Sequence, residues 1–214
     1  MRFDRKRALV TGAGKGIGRA IAKTLAKYGA ETFALSRTQA DLDSLISEVP
    51  NIKVINVDLQ DWDKTKEEVS KIGHIDLLVN NAGTFNVSQI IAKRMIENGK
   101  GGSIVNISSI MSETAAPDGC VYSTTKAAID MLTKCMALEL GPHNIRVNSI
   151  NPTVVWTDMA RSIKDHLMPL LPMTPLGRFA EIADVVNAVV FLLSDQSGMI
   201  SGECLRVDGG LGVH

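Results

Sequence analysis

Arg7-Ala-Leu-Val-Thr11-Gly12-Ala-Gly14-Lys15-Gly16-Ile17-Gly18 is a short apolar run that passes straight into a glycine-rich turn. Beyond the turn Ile17, Ile21 and Leu25 recur at helical spacing, and Gly29 stands where a helix C-cap belongs. Strand, glycine turn and helix in that order give the glycines a physical purpose. They allow a tight turn, let the backbone approach a pyrophosphate closely, and aim a helix N-terminus at the anion. The spacing Gly12-xxx-Gly16-x-Gly18 differs from G-x-G-x-x-G, since Ile17 takes the place of the third glycine.

The same alternation continues outward. Strands are expected at 32–35, 52–57, 75–79, 102–108, 145–150 and 204–207, with helices near 38–48, 61–72, 86–97, 122–140 and 180–193 between them. Thr38 is expected to cap the second helix. The strands read as continuous apolar runs, as they do when a parallel sheet is covered on both faces. The predicted fold is therefore α/β: one doubly wound parallel sheet, Rossmann-type, of about seven strands, built from residues 1–214 as one domain. A Pro-rich stretch holding Pro152, Pro169, Pro172 and Pro175 precedes the helix expected at 180–193.

Ligands of such sheets bind beyond the carboxyl ends of the strands. Thr11-Gly12, Asp58, Asn80-Asn81, Ser108-Ser109 and Asn151-Pro152 all fall at those ends. A further pair joins them: Tyr122 and Lys126 lie four apart at the start of a helical run, so phenol and ammonium share a face. A phenol ordinarily titrates near pH 10, and a neighbouring cation favours its ionised form and makes it a usable proton donor near neutrality. Ser109 supplies a hydrogen bond for a carbonyl oxygen that Tyr122 protonates. These are the parts needed to reduce a carbonyl.

The cofactor follows from the end of the second strand. An acidic residue there holds the ribose 2′-hydroxyl of NAD, but this chain has Ser36-Arg37-Thr38. Arg37 with Lys15 suits a 2′-phosphate, so NADP(H) is expected.

Bulk properties exclude other classes. Lys plus Arg and Asp plus Glu are 23 each, so no net field recruits nucleic acid or an anionic membrane. The basic cluster Arg2, Arg5, Lys6, Arg7 is short and no signal-peptide core follows it. No apolar run reaches membrane-spanning length. Cys120, Cys135 and Cys204 are odd in number without a C-x-x-C pair, which points to reduced thiols and a cytoplasmic setting. Cys120 is read as a packing residue, with no base placed to activate it. His74, His143, His166 and His214 lack metal-ligand spacing, so no metal is assigned.

With Thr11-Gly12-xxx-Gly16-x-Gly18, Asn80-Asn-Ala-Gly83, Ser109, Tyr122-xxx-Lys126 and Asn151-Pro152 in order, the chain resembles the short-chain dehydrogenase/reductase family over nearly its whole length. Ser36-Arg-Thr-Gln-Ala-Asp-Leu-Asp-Ser-Leu45, Ala137-Leu-Glu-Leu-Gly-Pro-His143 and Asn151-Pro-Thr-Val-Val155 are similar to that family's L-xylulose (dicarbonyl) reductase branch. The resemblance implies NADPH-dependent reduction of L-xylulose to xylitol and of small α-dicarbonyls such as diacetyl. It makes Tyr122 the proton donor, Lys126 the group that tunes it and holds the nicotinamide ribose, and Ser109 the residue that orients the carbonyl. It places Gly12, Lys15, Gly16, Ile17, Gly18, Arg37, Thr38, Asp58, Asn81, Ala82, Gly83, Val154 and Thr157 along the cofactor, and Met111, Gly119 and Cys120 by the substrate. It also implies a homotetramer paired through the helices after the fourth and fifth strands. A 3-oxoacyl thioester or a steroid ketone is the other carbonyl class open to such a site, and cofactor binding without turnover is the reading outside catalysis.

One region departs from the family. After Gly83 the family runs through a loop and a long helix that carries an asparagine holding a relay water behind the Tyr-Lys pair. Here only residues 84–102 separate the two strands, so roughly thirty residues are absent, though a crossover needs only about 10–12. Asn86 is the asparagine on offer, one position before Val87-Ser-Gln-Ile90, where the match resumes. A clean gap between good matches is what an omitted exon leaves.

Overall fold

The computed structural model describes residues 1–115, 117–162 and 164–213; His214, one of the four histidines, lies outside them. Seven parallel strands form one sheet in the order β3-β2-β1-β4-β5-β6-β7. They are β1 (Arg7–Thr11), β2 (Glu31–Ser36), β3 (Lys53–Asn56), β4 (Leu77–Asn80), β5 (Gly102–Ile107), β6 (Ile145–Pro152) and β7 (Cys204–Val207). Helices α1 (Gly16–Lys27), α2 (Gln39–Glu48), α3 (Trp62–Lys71), α4 (Thr84–Asn98) and α5 (Cys120–Leu140) follow the first five strands in turn.

Alternation along each strand divides the core between two faces. Ala8 and Val10 of β1 point toward α1, α2 and the later helix α8 (Ile182–Leu193), where they meet Ile21, Leu25, Leu42 and Val189. Leu9 points the other way, into a layer with Ile91, Met95, Met136 and Leu140 from α4 and α5. The central strands β1, β4, β5 and β6 are thus covered on both sides, which is why they read as largely apolar runs, whereas the edge strands β3 and β7 stay partly exposed.

The Pro-rich stretch after Pro152 holds the short helices α6 (Asp158–Ser162) and α7 (Lys164–Leu167). One expectation is corrected. The helix expected from Ala180 begins at Ile182, because the Asp184 carboxylate accepts from the Glu181 backbone N–H at 2.8 Å and fixes the start there.

The shortened crossover closes without strain. Gly83 adopts φ 61° and α4 starts at the next residue. Fifteen residues of helix at about 1.5 Å each span the sheet, and Gly99 and Gly101, both at positive φ, turn the chain into β5. A buried polar ladder ties this helix to the next. The Asn80 amide donates to Ser88 Oγ (2.7 Å) and Asn106 Oδ1 (2.8 Å), and the Asn106 amide donates to Thr133 Oγ1 (2.8 Å). Asn106→Leu leaves partners on both sides unpaired in a dry core. It should cost about 2–3 kcal/mol, read as a lower urea midpoint at an unchanged slope.

Candidate active site

Strand order reverses between β1 and β4, and the crevice opens at their carboxyl ends. The Thr11 hydroxyl, fully buried, closes its floor. It accepts from the backbone N–H groups of Asn81 (3.1 Å) and Ala82 (3.0 Å) and donates to the Ala82 carbonyl. The Asn81 amide in turn donates to the Gly12 carbonyl at 3.1 Å. Gly12, Asn81, Ala82 and Gly83 are thereby brought together.

The glycine turn is as tight as its sequence predicts. Gly12 and Gly16 sit at φ 62° and 55°, and a Cβ on Gly18 would stand 2.4 Å from the Gly12 carbonyl oxygen. Lys15 occupies the N-cap of α1 with no side-chain cap, and no acidic residue lies in the first turn. The N–H groups of that turn, Gly16 and Ile17 included, are left to face an anion. Thr157 approaches Gly16 from the other wall, its methyl 3.7 Å from where a Cβ would be. Backbone bonds of Val154 and Trp156 to Ala180 hold that wall, and the Trp156 ring stacks on Phe179 at 5.8 Å.

At the far end Arg37 and Thr38 are exposed, as is Lys15. Asp58, also exposed, stands two residues past the end of β3, its Oδ1 accepting from the Gln60 backbone N–H. Thr38 stands at the N-cap of α2 but makes no capping bond, which corrects the expectation. The reading of the second-strand end missed Asp41, whose carboxylate reaches Lys15 at 3.4 Å from the first turn of α2. The lack of a side chain on Gly14 gives Asp41 room. Its position three residues after the expected cap was the available signal. Arg37 keeps its charge free of this pair.

The reacting groups stand on α5 and the turn after β5. Tyr122 is half exposed, and Lys126 Nζ lies 5.6 Å from the centre of its ring. Lys126 Nζ donates to the Ile107 carbonyl at 3.0 Å, and Ser108 Oγ donates to the Lys126 carbonyl at 3.1 Å, so the helix is pinned to the end of β5. Burial pushes the Lys126 ammonium below the usual lysine range, and the Asp130 carboxylate offsets part of that. Ser109 is buried, and its Oγ accepts from Met111 N at 3.2 Å, which leaves its own proton to donate. Met111 is half-buried, Gly119 is buried at the N-cap of α5, and Cys120 is exposed. A phenol, a cation and a free hydroxyl donor at one strand edge can polarise and protonate a carbonyl oxygen. Asn86, in the first turn of α4, has no side-chain hydrogen bond among the described residues.

Residues 6–85 match the family model described as short chain dehydrogenase, and residues 83–212 match the one described as enoyl-(acyl carrier protein) reductase. The chain belongs to the short-chain dehydrogenase family. It is 50% identical to a D-erythrulose reductase of Gallus gallus, over 97% of this chain and 96% of the relative. It is also 50% identical to an L-xylulose reductase of Mesocricetus auratus, over 96% of each. Among solved structures, a gluconate 5-dehydrogenase from Burkholderia cenocepacia in complex with NADP and tartrate superposes with a TM-score of 0.93. It is 31% identical, over 100% of this chain and 97% of that one. The alignment to the Gallus gallus relative runs over 236 residues, longer than the 214 of this short-chain dehydrogenase, so some of the relative's residues have no counterpart here. The two family matches meet at 83–85, where the sequence analysis puts the gap.

The close approach at Gly18 yields a direct test. Gly18→Ala should push the turn off α1 and weaken NADPH binding by about tenfold or more, about 1.4 kcal/mol per factor of ten, as measured by titrating cofactor fluorescence.

Proposed function

We propose that this protein is an NADPH-dependent carbonyl reductase whose substrates are L-xylulose, reduced to xylitol, and small α-dicarbonyls such as diacetyl. The observation that carries the reading is the Tyr122–Lys126 pair, pinned to the end of β5 immediately before Ser109. The reading is supported by similarity to L-xylulose and D-erythrulose reductases over nearly the full length of both chains. The residues fit the cofactor. The Gly12–Gly18 turn admits a pyrophosphate where any Cβ at Gly18 would clash, and Lys15 with Arg37 offers two cations to a 2′-phosphate. Asp58 with the 81–83 backbone would line the adenine and ribose, and Val154 and Thr157 the opposite wall. Bound there, a reduced nicotinamide supplies the hydride.

The chain's own residues do the rest. Ser109 donates to the substrate oxygen and holds it within reach of Tyr122, which gives up its phenolic proton as charge develops. Lys126 steadies the phenolate through its charge and would also hold the ribose. Met111, Gly119 and Cys120 would shape the entrance for a short polyol or dicarbonyl.

The missing relay segment is met by open water. None of residues 120–129 of α5 is buried, and Tyr122 is 49% exposed. Solvent therefore reaches the Tyr122 phenol directly and can return its proton without an ordered relay. The competing reading, cofactor binding without turnover, draws on the same gap.

Residues 1–214 act as one NADP(H)-binding unit in the cytoplasm, with Cys120 and Cys135 as free surface thiols. Among the described residues no helix is long and apolar enough to cross a membrane. Val121, Met131 and Leu138 recur along one exposed side of α5, and a second copy of the chain is the partner such a face suits. That face supports a homo-oligomer, a tetramer by family resemblance.

Purified chain should consume NADPH when given L-xylulose or diacetyl, and Tyr122→Phe should slow this by about 10²–10⁴-fold. NADPH binding without consumption for either substrate would replace the reductase reading with the binding one.

A further inference from the structure

Tyr122, Lys126 and Asp130 stand four residues apart on α5. Phenol, ammonium and carboxylate thus follow one another on one stripe of the helix. Asp130 is only 7% exposed, and a carboxylate that deep is normally held by a cation in contact. Its partners here are neutral. Oδ1 accepts from the Ser149 hydroxyl at 3.2 Å and Oδ2 from the Asn151 amide at 2.6 Å.

The charge it does serve lies one turn back. Burial works against the Lys126 ammonium, and Asp130 supplies the opposing field. Other charged and titratable groups on the packed elements are differently engaged. Lys134, the next residue along the stripe, is exposed; Glu113, after the Ser109 turn, pairs with Arg206 at 3.2 Å. From β7, Glu203 is exposed, and the Cys204 thiol is pushed up by burial while bonded to Ser149.

A second arm leaves the same carboxylate. The Asn151 amide also donates to Ser112 Oγ at 2.9 Å, and Ser112 Oγ donates to the Ser109 carbonyl at 2.7 Å. A continuous chain of hydrogen bonds thus runs from α5 through β6 to the turn that carries Ser109. The two halves of the site come from separate elements; Asp130 stands on one and reaches the other through Asn151 and Ser112.

We propose that Asp130 is a positioning residue for carbonyl reduction: it holds Lys126 as an ammonium beside Tyr122 and, through Asn151 and Ser112, fixes the turn that presents Ser109. The proposal rests on the reductase reading and deepens it.

Asp130→Asn keeps the size and one acceptor but removes the charge. Without the carboxylate Lys126 loses a stabilising negative neighbour for its protonated form. The alkaline limb of kcat/KM for diacetyl should therefore move about one pH unit lower, and Asp130→Glu should restore it. A second readout needs no turnover: the titration midpoint of Lys126 in reductively ¹³C-methylated protein, assigned with Lys126→Arg, should fall with the limb. Ser112→Ala should lower kcat several-fold, about the loss of one positioning hydrogen bond, while the limb stays in place.

A fall in kcat for Asp130→Asn that is uniform with pH, with an unmoved Lys126 midpoint, overturns the proposal and leaves the reductase reading intact. An inactive wild-type chain whose Lys126 midpoint still falls in Asp130→Asn overturns the reductase reading but keeps the coupling of the two residues. If Asp130→Asn does not fold, the wild-type midpoint decides. A Lys126 that stays protonated above neutral pH supports the proposal, and one that titrates at or below neutrality contradicts it.

Discussion

Everything at the crevice depends on one hydroxyl. Thr11 Oγ1 uses its single proton on the Ala82 carbonyl and both lone pairs on the N–H groups of Asn81 and Ala82, so it has no capacity left over. Those three bonds fasten the end of β1 to the turn after β4 at the point where the sheet changes direction. The glycine turn is fixed by the same contact, because Asn81 reaches Gly12 only when the 81–83 backbone is held. A second hydrogen-bonded path, from Asn80 through Asn106 to Thr133, sets the distance from β4 to α5. The turn and the Tyr122 helix are therefore positioned from one strand, β4, which emits Asn80 on one side of its end and Asn81 on the other.

The sheet and the helical placement of Tyr122 and Lys126 were legible in the sequence because each depends on a local pattern. Continuous apolar runs gave the strands, helical spacing placed Tyr122 and Lys126 on one face, and glycine spacing marked the turn. Features that arise only when distant segments meet were not legible. Asp41 reads as an ordinary first-turn carboxylate until Gly14 brings Lys15 over it. Asp130 reads as a polar residue on the outside of a helix, and only the packing of β6 against α5 buries it on Ser149 and Asn151. The short helices after Pro152 carry too little periodicity to show against four prolines. Thr38 had the right residue type at the right place, yet its hydroxyl makes no capping bond.

The shortened crossover between β4 and β5 changes what surrounds the chemistry more than the chemistry itself. A helix of this length is enough to close a right-handed βαβ unit, so strand order survives the loss. What goes is cover. The first half of α5 carries Tyr122 and Lys126 without a buried residue of its own, and it is anchored to the sheet by Lys126, Ser108 and, one turn on, Asp130. Polar contacts thus do at this end of the helix what apolar packing does at the other, where Met136 and Leu140 are buried.

Single-turnover transfer from NADPH deuterated at the nicotinamide carbon that gives up the hydride tests this account most directly. With diacetyl as acceptor, the account predicts one deuterium on the carbinol carbon of the product, found by mass spectrometry. It predicts little or none in the same interval with Tyr122→Phe. Labelled NADPH that stays bound and unchanged, with no label in any product, would contradict it.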